Sequence, residues 1–137
     1  MNEKQPYIMN EWKPSNCSRF SALHDGDRVY CNRVYDGDTI TLCWMDDRGE
    51  KVKVNCQIRD IEVPSLRGSK KEKQLARLAK NRLSDAVLYK IVTITREGKA
   101  QNGKVLSDIQ TTDHQSISEY MLEDYTICKP FGTNHSW

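Results

Sequence analysis

Residues 34–42 read Val-Tyr-Asp-Gly-Asp-Thr-Ile-Thr-Leu, and residues 58–65 read Ile-Arg-Asp-Ile-Glu-Val-Pro-Ser. In the first stretch, an Asp-Gly pair between two strand-like segments is a strong hairpin signal, and it places two carboxylates on a tight turn. The second stretch places a further carboxylate shortly before a proline, after another strand. Together they predict that Asp36, Asp38 and Glu62 gather at one end of a small barrel, where they could hold a hard divalent cation such as calcium.

The segments around this turn alternate between apolar and polar residues, which is typical of half-buried strands. This pattern predicts strands at about 28–35, 39–45, 51–58, 91–96 and 104–110. Three consecutive strands, a helix, two strands and a short helix indicate a small α+β barrel.

The longer helix is predicted at about 69–89, because Ser69 and Glu72 form a capping box at its start. Its expected buried stripe consists of Leu75, Leu78, Ala79, Leu83, Ala86 and Val87. The short C-terminal helix is predicted at about 114–124.

The length of 137 residues indicates one domain. We expect an N-terminal extension at 1–23, the folded domain at 24–132 and a tail at 133–137. There is no apolar run of the roughly 20 residues that span a bilayer, so no membrane partner is expected. Because the first 20 residues lack an apolar signal region, we expect an intracellular protein, cytoplasmic or nuclear.

The five cysteines are odd in number and lack the C-x-x-C spacing of zinc sites. Cys31, Cys43 and Cys56 fall within predicted strands, where a cysteine usually behaves as a small buried hydrophobe. Reduced thiols are therefore expected. Among the aromatic residues, Tyr35, Trp44 and Tyr89 lie in core-like patterns, whereas Tyr125 could pack in the core or stack on a base.

A basic run carries most of the positive charge of the predicted helix. It contains Arg67, Lys70, Lys71, Lys73, Arg77, Lys80 and Arg82, against the single acid Glu72. Such a run is either a solvated helix face or a patch that contacts phosphates.

Five segments resemble, in the same order, parts of the staphylococcal nuclease-like (thermonuclease) family. They are 34–42, 58–65, 102–106, 116–122 and 129–133. The last resembles a Pro-Tyr-Asp-Gly-Gly-Thr tail of some members, including ones from large DNA viruses. The resemblance implies an OB-type five-stranded β-barrel with a helix between strands 3 and 4.

The resemblance also implies a calcium site. Asp38 matches the first ligand of the family, and Glu62 stands where a second aspartate is usual. Val63 matches the ligand that binds through its backbone carbonyl, and Asp36 matches the aspartate beside the ligands. The longer Glu62 side chain would weaken the site, although calcium tolerates irregular geometry.

The positions that match the catalytic residues of the family depart from its pattern. Ser65 replaces a glutamate that serves the attacking water, and a serine cannot act as that base. Gln57 and Lys104 replace two arginines that bind the phosphate: glutamine brings no charge, and lysine brings a point charge without the bidentate fork. Arg59 lies two residues from Gln57, on the same side of a strand, and could partly substitute.

Sequence and resemblance together predict a nuclease-fold protein with a degraded active site that acts as a nucleic-acid-binding or protein-interaction module. The alternative is a weak calcium-dependent endonuclease or phosphodiesterase acting on DNA or RNA. The expected contacts to nucleic acid are Arg67, Lys70, Lys71, Lys73, Arg77 and Lys104.

Overall fold

The computed structural model describes residues 23–97, 103–132 and 137. The predicted extension, apart from residue 23, and most of the predicted tail lie outside these residues. In chain order the elements are β1 (Arg28–Asp36), β2 (Thr39–Met45), β3 (Lys51–Ile58), β4 (Ile61–Glu62), α1 (Lys70–Val87), β5 (Ile91–Thr95), β6 (Lys104–Gln110), α2 (Ile117–Leu122) and β7 (Lys129–Pro130).

Five of the strands close into a barrel in the order β1-β2-β3-β6-β5, and β5 pairs back onto β1. Strands β3 and β6 run parallel, whereas the other neighbouring strands of the barrel are antiparallel. Helix α1 connects the third and fourth barrel strands, and α2 follows the fifth. The predicted α+β fold, an OB-type barrel with these two helices, is therefore confirmed.

The interior of the barrel is filled by one face of each strand. Ile40, Leu42, Ile94 and Ile109 are fully buried there. Cys31, Cys43 and Cys56 are buried and free, as predicted, and Cys128 is buried and free as well. Burial raises the pKa of the Cys31 and Cys56 thiols to about 12, so both remain neutral small hydrophobes.

Helix α1 begins with the predicted capping box. Ser69 Oγ accepts the backbone N–H of Glu72 over 3.2 Å, and the Glu72 carboxylate accepts that of Ser69 over 3.4 Å. The buried face consists of Ala76, Ala79, Leu83, Ala86 and Val87. The placement of Leu78 in this face was wrong: its side chain is 53% exposed. Alanines face the barrel because the helix lies close to β1, and that orientation turns Leu78 toward solvent.

Helix α2 is anchored to the barrel through the buried carboxylate of Asp108. Its Oδ1 accepts the backbone N–H groups of Ile109 and Ser118 over 2.8 and 3.0 Å. Its Oδ2 accepts the hydroxyl of Ser116, the residue that caps α2, over 2.5 Å. Both carboxyl oxygens are therefore hydrogen-bonded, as a buried polar group requires. Of the described helices, none has the length and apolar character needed to cross a membrane.

The aromatic residues divide between core and surface. Trp44 is buried as predicted. Core packing was a wrong prediction for Tyr35 and Tyr89, whose side chains are 43% and 66% exposed. Tyr35 lies on the outer face of β1, and Tyr89 follows α1 with a φ of 61°. Tyr125 is also exposed, under the Lys129 ammonium at 4.3 Å.

Candidate active site

The turn between β1 and β2 holds two carboxylates in a fixed arrangement. The backbone N–H of Asp38 donates to Asp36 Oδ1 over 3.1 Å, which closes the turn. Thr39 Oγ1 donates to Asp38 Oδ1 over 2.9 Å. The carbonyl of Asp38 accepts the N–H of Ile58 at the end of β3 over 2.7 Å. The two carboxylates are thus positioned by the barrel itself and not by a loose loop.

Gly37 is buried between this turn and α1. A β-carbon at this residue would lie 2.6 Å from the Ala79 Cβ and 3.0 Å from the Val63 Cγ1. Only glycine fits at such a distance, so the turn rests directly on the middle of the helix. Val63 also packs against the turn at Gly37.

The charge on Asp38 is strongly disfavoured in the folded protein. Burial, together with a hydrogen bond and repulsion from the Asp36 carboxylate, raises the pKa of Asp38 to about 7. The Thr39 hydroxyl and the charge of Lys104 act in the opposite direction. Two carboxylates pressed together in this way are a fitting binding point for a hard cation.

Glu62 does not contact this turn in the described hydrogen bonds but bonds to Gly132 near the C-terminus. Its Oε1 accepts the backbone N–H of Gly132 over 2.8 Å, and its strand β4 pairs with β7, opposite Lys129. Within the described ranges, no three His, Cys, Asp or Glu side chains are close enough to share an ion. The Asp36 and Asp38 carboxylates lie together on the turn, whereas Glu62 in this position does not join them.

Two of the three positions predicted from the resemblance to be degraded catalytic positions lie beside this turn. Gln57 on β3 pairs with Thr39 on the neighbouring strand β2. Lys104 lines a cavity of about 160 Å³ together with Tyr35, Asp36, Thr39 and Asn55. The exposed Ser65 instead uses its hydroxyl to accept the backbone N–H of Arg67 over 3.0 Å.

Arg59 belongs to a separate polar cluster beyond the end of β3. Its Nη1 donates to the carbonyl of Arg96 over 2.8 Å, and its Nε lies 3.5 Å from Asp60 Oδ2. Arg96 donates to the same Asp60 oxygen over 2.7 Å. The guanidinium of Arg59 is therefore committed to this loop in the described conformation.

The basic run divides into exposed and structural residues. Arg67, Lys70, Lys71, Lys73 and Arg77 are exposed. Lys70, Lys73 and Arg77 share one face of α1, because residues three and four apart are neighbours on a helix. Within the described part of the chain, no ion pair engages these five residues.

Arg82 has a structural role. Its guanidinium lies 3.9 Å above the ring of Tyr120, donates to the Tyr120 carbonyl and pairs with Glu123 at 3.6 Å. It joins α1 to α2 and is unavailable to a ligand.

Sequence reasoning missed a polar groove on the outer face of β1, β2 and β3. The groove has a volume of about 390 Å³, and its lining includes Arg33, Tyr35, Thr41, Lys53 and Asn55. The sequence did contain an indication of this groove. Residues 33 and 35 on β1 are two apart, as are residues 53 and 55 on β3, and residues two apart on a strand face the same side.

No protein-family model matches the sequence. A search of curated proteins likewise finds no significant match.

Proposed function

We propose that this chain is a divergent nuclease-like protein that binds nucleic acid and cleaves it poorly or not at all. The observation that carries the proposal is the exposed cationic face of α1, the helix that packs on the Asp36–Asp38 turn through Ala79. Lys70, Lys73 and Arg77 lie on the side of α1 roughly opposite Ala79, the residue on which Gly37 packs, so this face projects into solvent. Lys104 adds positive charge on the barrel side of the same turn. Cations clustered without carboxylate partners are the electrostatic footprint of phosphate binding.

The position of these lysines on the helix supports a binding role. Lys70, Lys71 and Lys73 all lie in the first turn of α1, with Glu72 as the acid there. Positive side chains at a helix N-terminus oppose the helix dipole, so this placement costs stability. A phosphate bound at the patch would offset that cost, whereas a solubilising role would favour the other end of the helix.

Efficient hydrolysis is disfavoured by the side chains at the positions that the resemblance assigns to catalysis. Ser65 offers no base, and its hydroxyl already serves the Arg67 N–H. Loss of a general base costs on the order of 10²–10⁴ in rate. Gln57 brings no charge to a developing phosphorane, and loss of one such donor costs roughly 10²–10³. These losses overlap, because catalytic groups act as a unit.

Calcium binding at Asp36 and Asp38 is part of the proposal. The two carboxylates would supply hard oxygen donors, with the carbonyl of Val63 as the further donor that the resemblance implies, and a bound cation would neutralise charge that the fold otherwise disfavours. With Glu62 bonded to Gly132, few protein ligands remain, so we propose weak binding with several waters retained.

A weak calcium-dependent nuclease is the second candidate, and the raised pKa of Asp38 favours it. A carboxyl group whose pKa is raised to about 7 by burial and a neighbouring carboxylate is typical of functional sites. Binding and cleavage must therefore be measured separately.

The binding experiment uses fluorescence anisotropy with a labelled single-stranded oligonucleotide over a salt series. A variant with Lys70, Lys71, Lys73 and Arg77 all changed to Gln should bind more weakly. The slope of log affinity against log salt should flatten by about 3, since each lost contact to a single strand removes about 0.7.

The matched control changes Arg28 and Lys90 to Gln, at the opposite end of β1 from the turn. It should leave the salt slope close to that of the parent. Unchanged affinity and slope in the four-site variant would show that the basic run is only a solubilising face. Failure of the parent to bind any nucleic acid would favour a protein-interaction module.

A further inference from the structure

The polar groove on β1, β2 and β3 is crossed by a continuous row of neighbouring residues. Arg33 pairs with Thr41, Thr41 with Asn55, and Asn55 with Lys104. With strands about 4.8 Å apart, the row extends about 14 Å from the Arg33 backbone to that of Lys104. One row thus connects the groove to the cavity beside the Asp36–Asp38 turn.

The charge of the groove is positive. Arg33 and Lys53 contribute cations, and its described lining contains no carboxylate. Lys104 continues the positive charge toward the turn. A low-dielectric concave surface with cations of one sign concentrates the potential, so the groove favours a polyanion.

The groove also contains a stacking platform. The Arg33 guanidinium lies 4.2 Å from the centroid of the Tyr35 ring, which remains 43% exposed. Both side chains project from the same side of β1, two residues apart. An exposed aromatic ring stacked with a guanidinium presents a flat surface that a nucleobase can extend, and such stacking is tolerant of base identity.

Polar side chains lie between the cations. Thr41 Oγ1 donates to Asn55 Oδ1 over 3.0 Å, which fixes the orientation of the Asn55 amide on the groove floor. A fixed amide can hydrogen-bond a base edge or a sugar without further ordering cost. A duplex cannot use this surface fully, because its bases are stacked on one another and not available to Tyr35.

We propose that a single strand of DNA or RNA lies in this groove, with a base against the Tyr35–Arg33 pair and phosphates at Lys53 and Lys104. The proposal rests on the nucleic-acid binding proposed above and names the form of nucleic acid and its path. The strand leads from the groove toward the Asp36–Asp38 turn.

The test compares oligo(dT), oligo(rU) and a duplex of the same length by fluorescence anisotropy. Tyr35→Ala should weaken binding of both single strands by about 5- to 100-fold, as expected for the loss of one stacked base. Binding of the duplex should change little. Tyr35→Phe should retain the affinity, whereas Tyr35→Leu, which keeps apolar bulk without the ring, should not. The two single-strand arms show whether the 2′-hydroxyl contributes.

Tyr89→Ala serves as the matched control, since it removes another exposed tyrosine away from the groove and should leave affinity unchanged. Thermal melting shows that each variant is folded. Unchanged single-strand affinity in Tyr35→Ala, while the four-site variant of α1 still binds weakly, would overturn the groove and leave the proposed function standing. An equal loss of duplex and single-strand affinity would also overturn it. Absence of binding to every oligonucleotide would overturn both proposals.

Discussion

Gly37 in the β1–β2 turn packs against Ala79 in α1 so closely that a β-carbon at residue 37 would lie 2.6 Å from the Ala79 Cβ. This contact connects the carboxylates of the turn to the helix that carries the basic residues. The two halves of the candidate site are thus positioned by one backbone-to-helix contact.

Gly37→Ala should therefore lower the free energy of unfolding by about 1–3 kcal/mol, the typical cost of overpacking a core. Urea denaturation monitored by circular dichroism measures it. The double variant Gly37→Ala/Ala79→Gly should recover part of the loss, although Ala79→Gly alone costs about 1 kcal/mol through helix propensity. A Gly37→Ala protein with the parent midpoint would contradict the close contact.

Asp38→Asn should stabilise the metal-free protein at high pH. The folded pKa of Asp38 is about 7, above the ordinary value of 3.8, so the charged form destabilises the fold. Stability is lost as pH rises from about 4 through 7, and asparagine removes that loss. The variant should gain at least about 1 kcal/mol on the parent between pH 4 and pH 8, since one pKa unit corresponds to 1.36 kcal/mol. Melting in the presence of a chelator at several pH values tests this; a stability difference independent of pH would oppose it.

Asp108→Ala should be among the most destabilising single substitutions. It leaves the N–H groups of Ile109 and Ser118 without their acceptor, and each unsatisfied buried donor costs about 1–3 kcal/mol. We expect a loss of about 3 kcal/mol in urea denaturation. The exposed Asp113→Ala should stay within about 0.5 kcal/mol of the parent. Similar midpoints for the two variants would show that Asp108 does not anchor α2.

Restoring the family pattern should raise cleavage. Gln57→Arg, Ser65→Glu and Lys104→Arg together should produce measurable calcium-dependent cleavage of labelled single-stranded DNA. Each change alone should do little, because the groups act as a unit. Adding Asp38→Ala to the triple variant should abolish the gain. A triple variant that binds DNA but cuts no faster than the parent would show that the turn cannot support the chemistry.

The fold was predictable because its signals are local. Period-two alternation located the barrel strands, and the capping box located the start of α1. The error at Leu78 has a non-local cause: the rotation of α1 about its axis is fixed by the contact of Gly37 with Ala79, more than forty residues apart in the sequence. Hydrophobicity alone cannot show that alanine, and not leucine, faces the barrel there.

The proximity of candidate site residues was predictable only where they lie on one turn. Asp36 and Asp38 are two residues apart, and their proximity follows from the turn. Glu62 is held by Gly132, 70 residues later in the chain, and Arg59 by the carbonyl of Arg96. Such contacts depend on how loops meet at the end of the barrel, which residue patterns do not specify.

The central claim, binding without efficient cutting, is tested most directly by one assay on the unmodified protein. A labelled single-stranded oligonucleotide is incubated at near-neutral pH with millimolar calcium, and bound fraction and chain length are followed in the same samples. We predict a salt-sensitive complex in which the oligonucleotide remains intact. Degradation at a typical enzymatic turnover of about 10 per second, abolished by Asp38→Ala, would contradict the account.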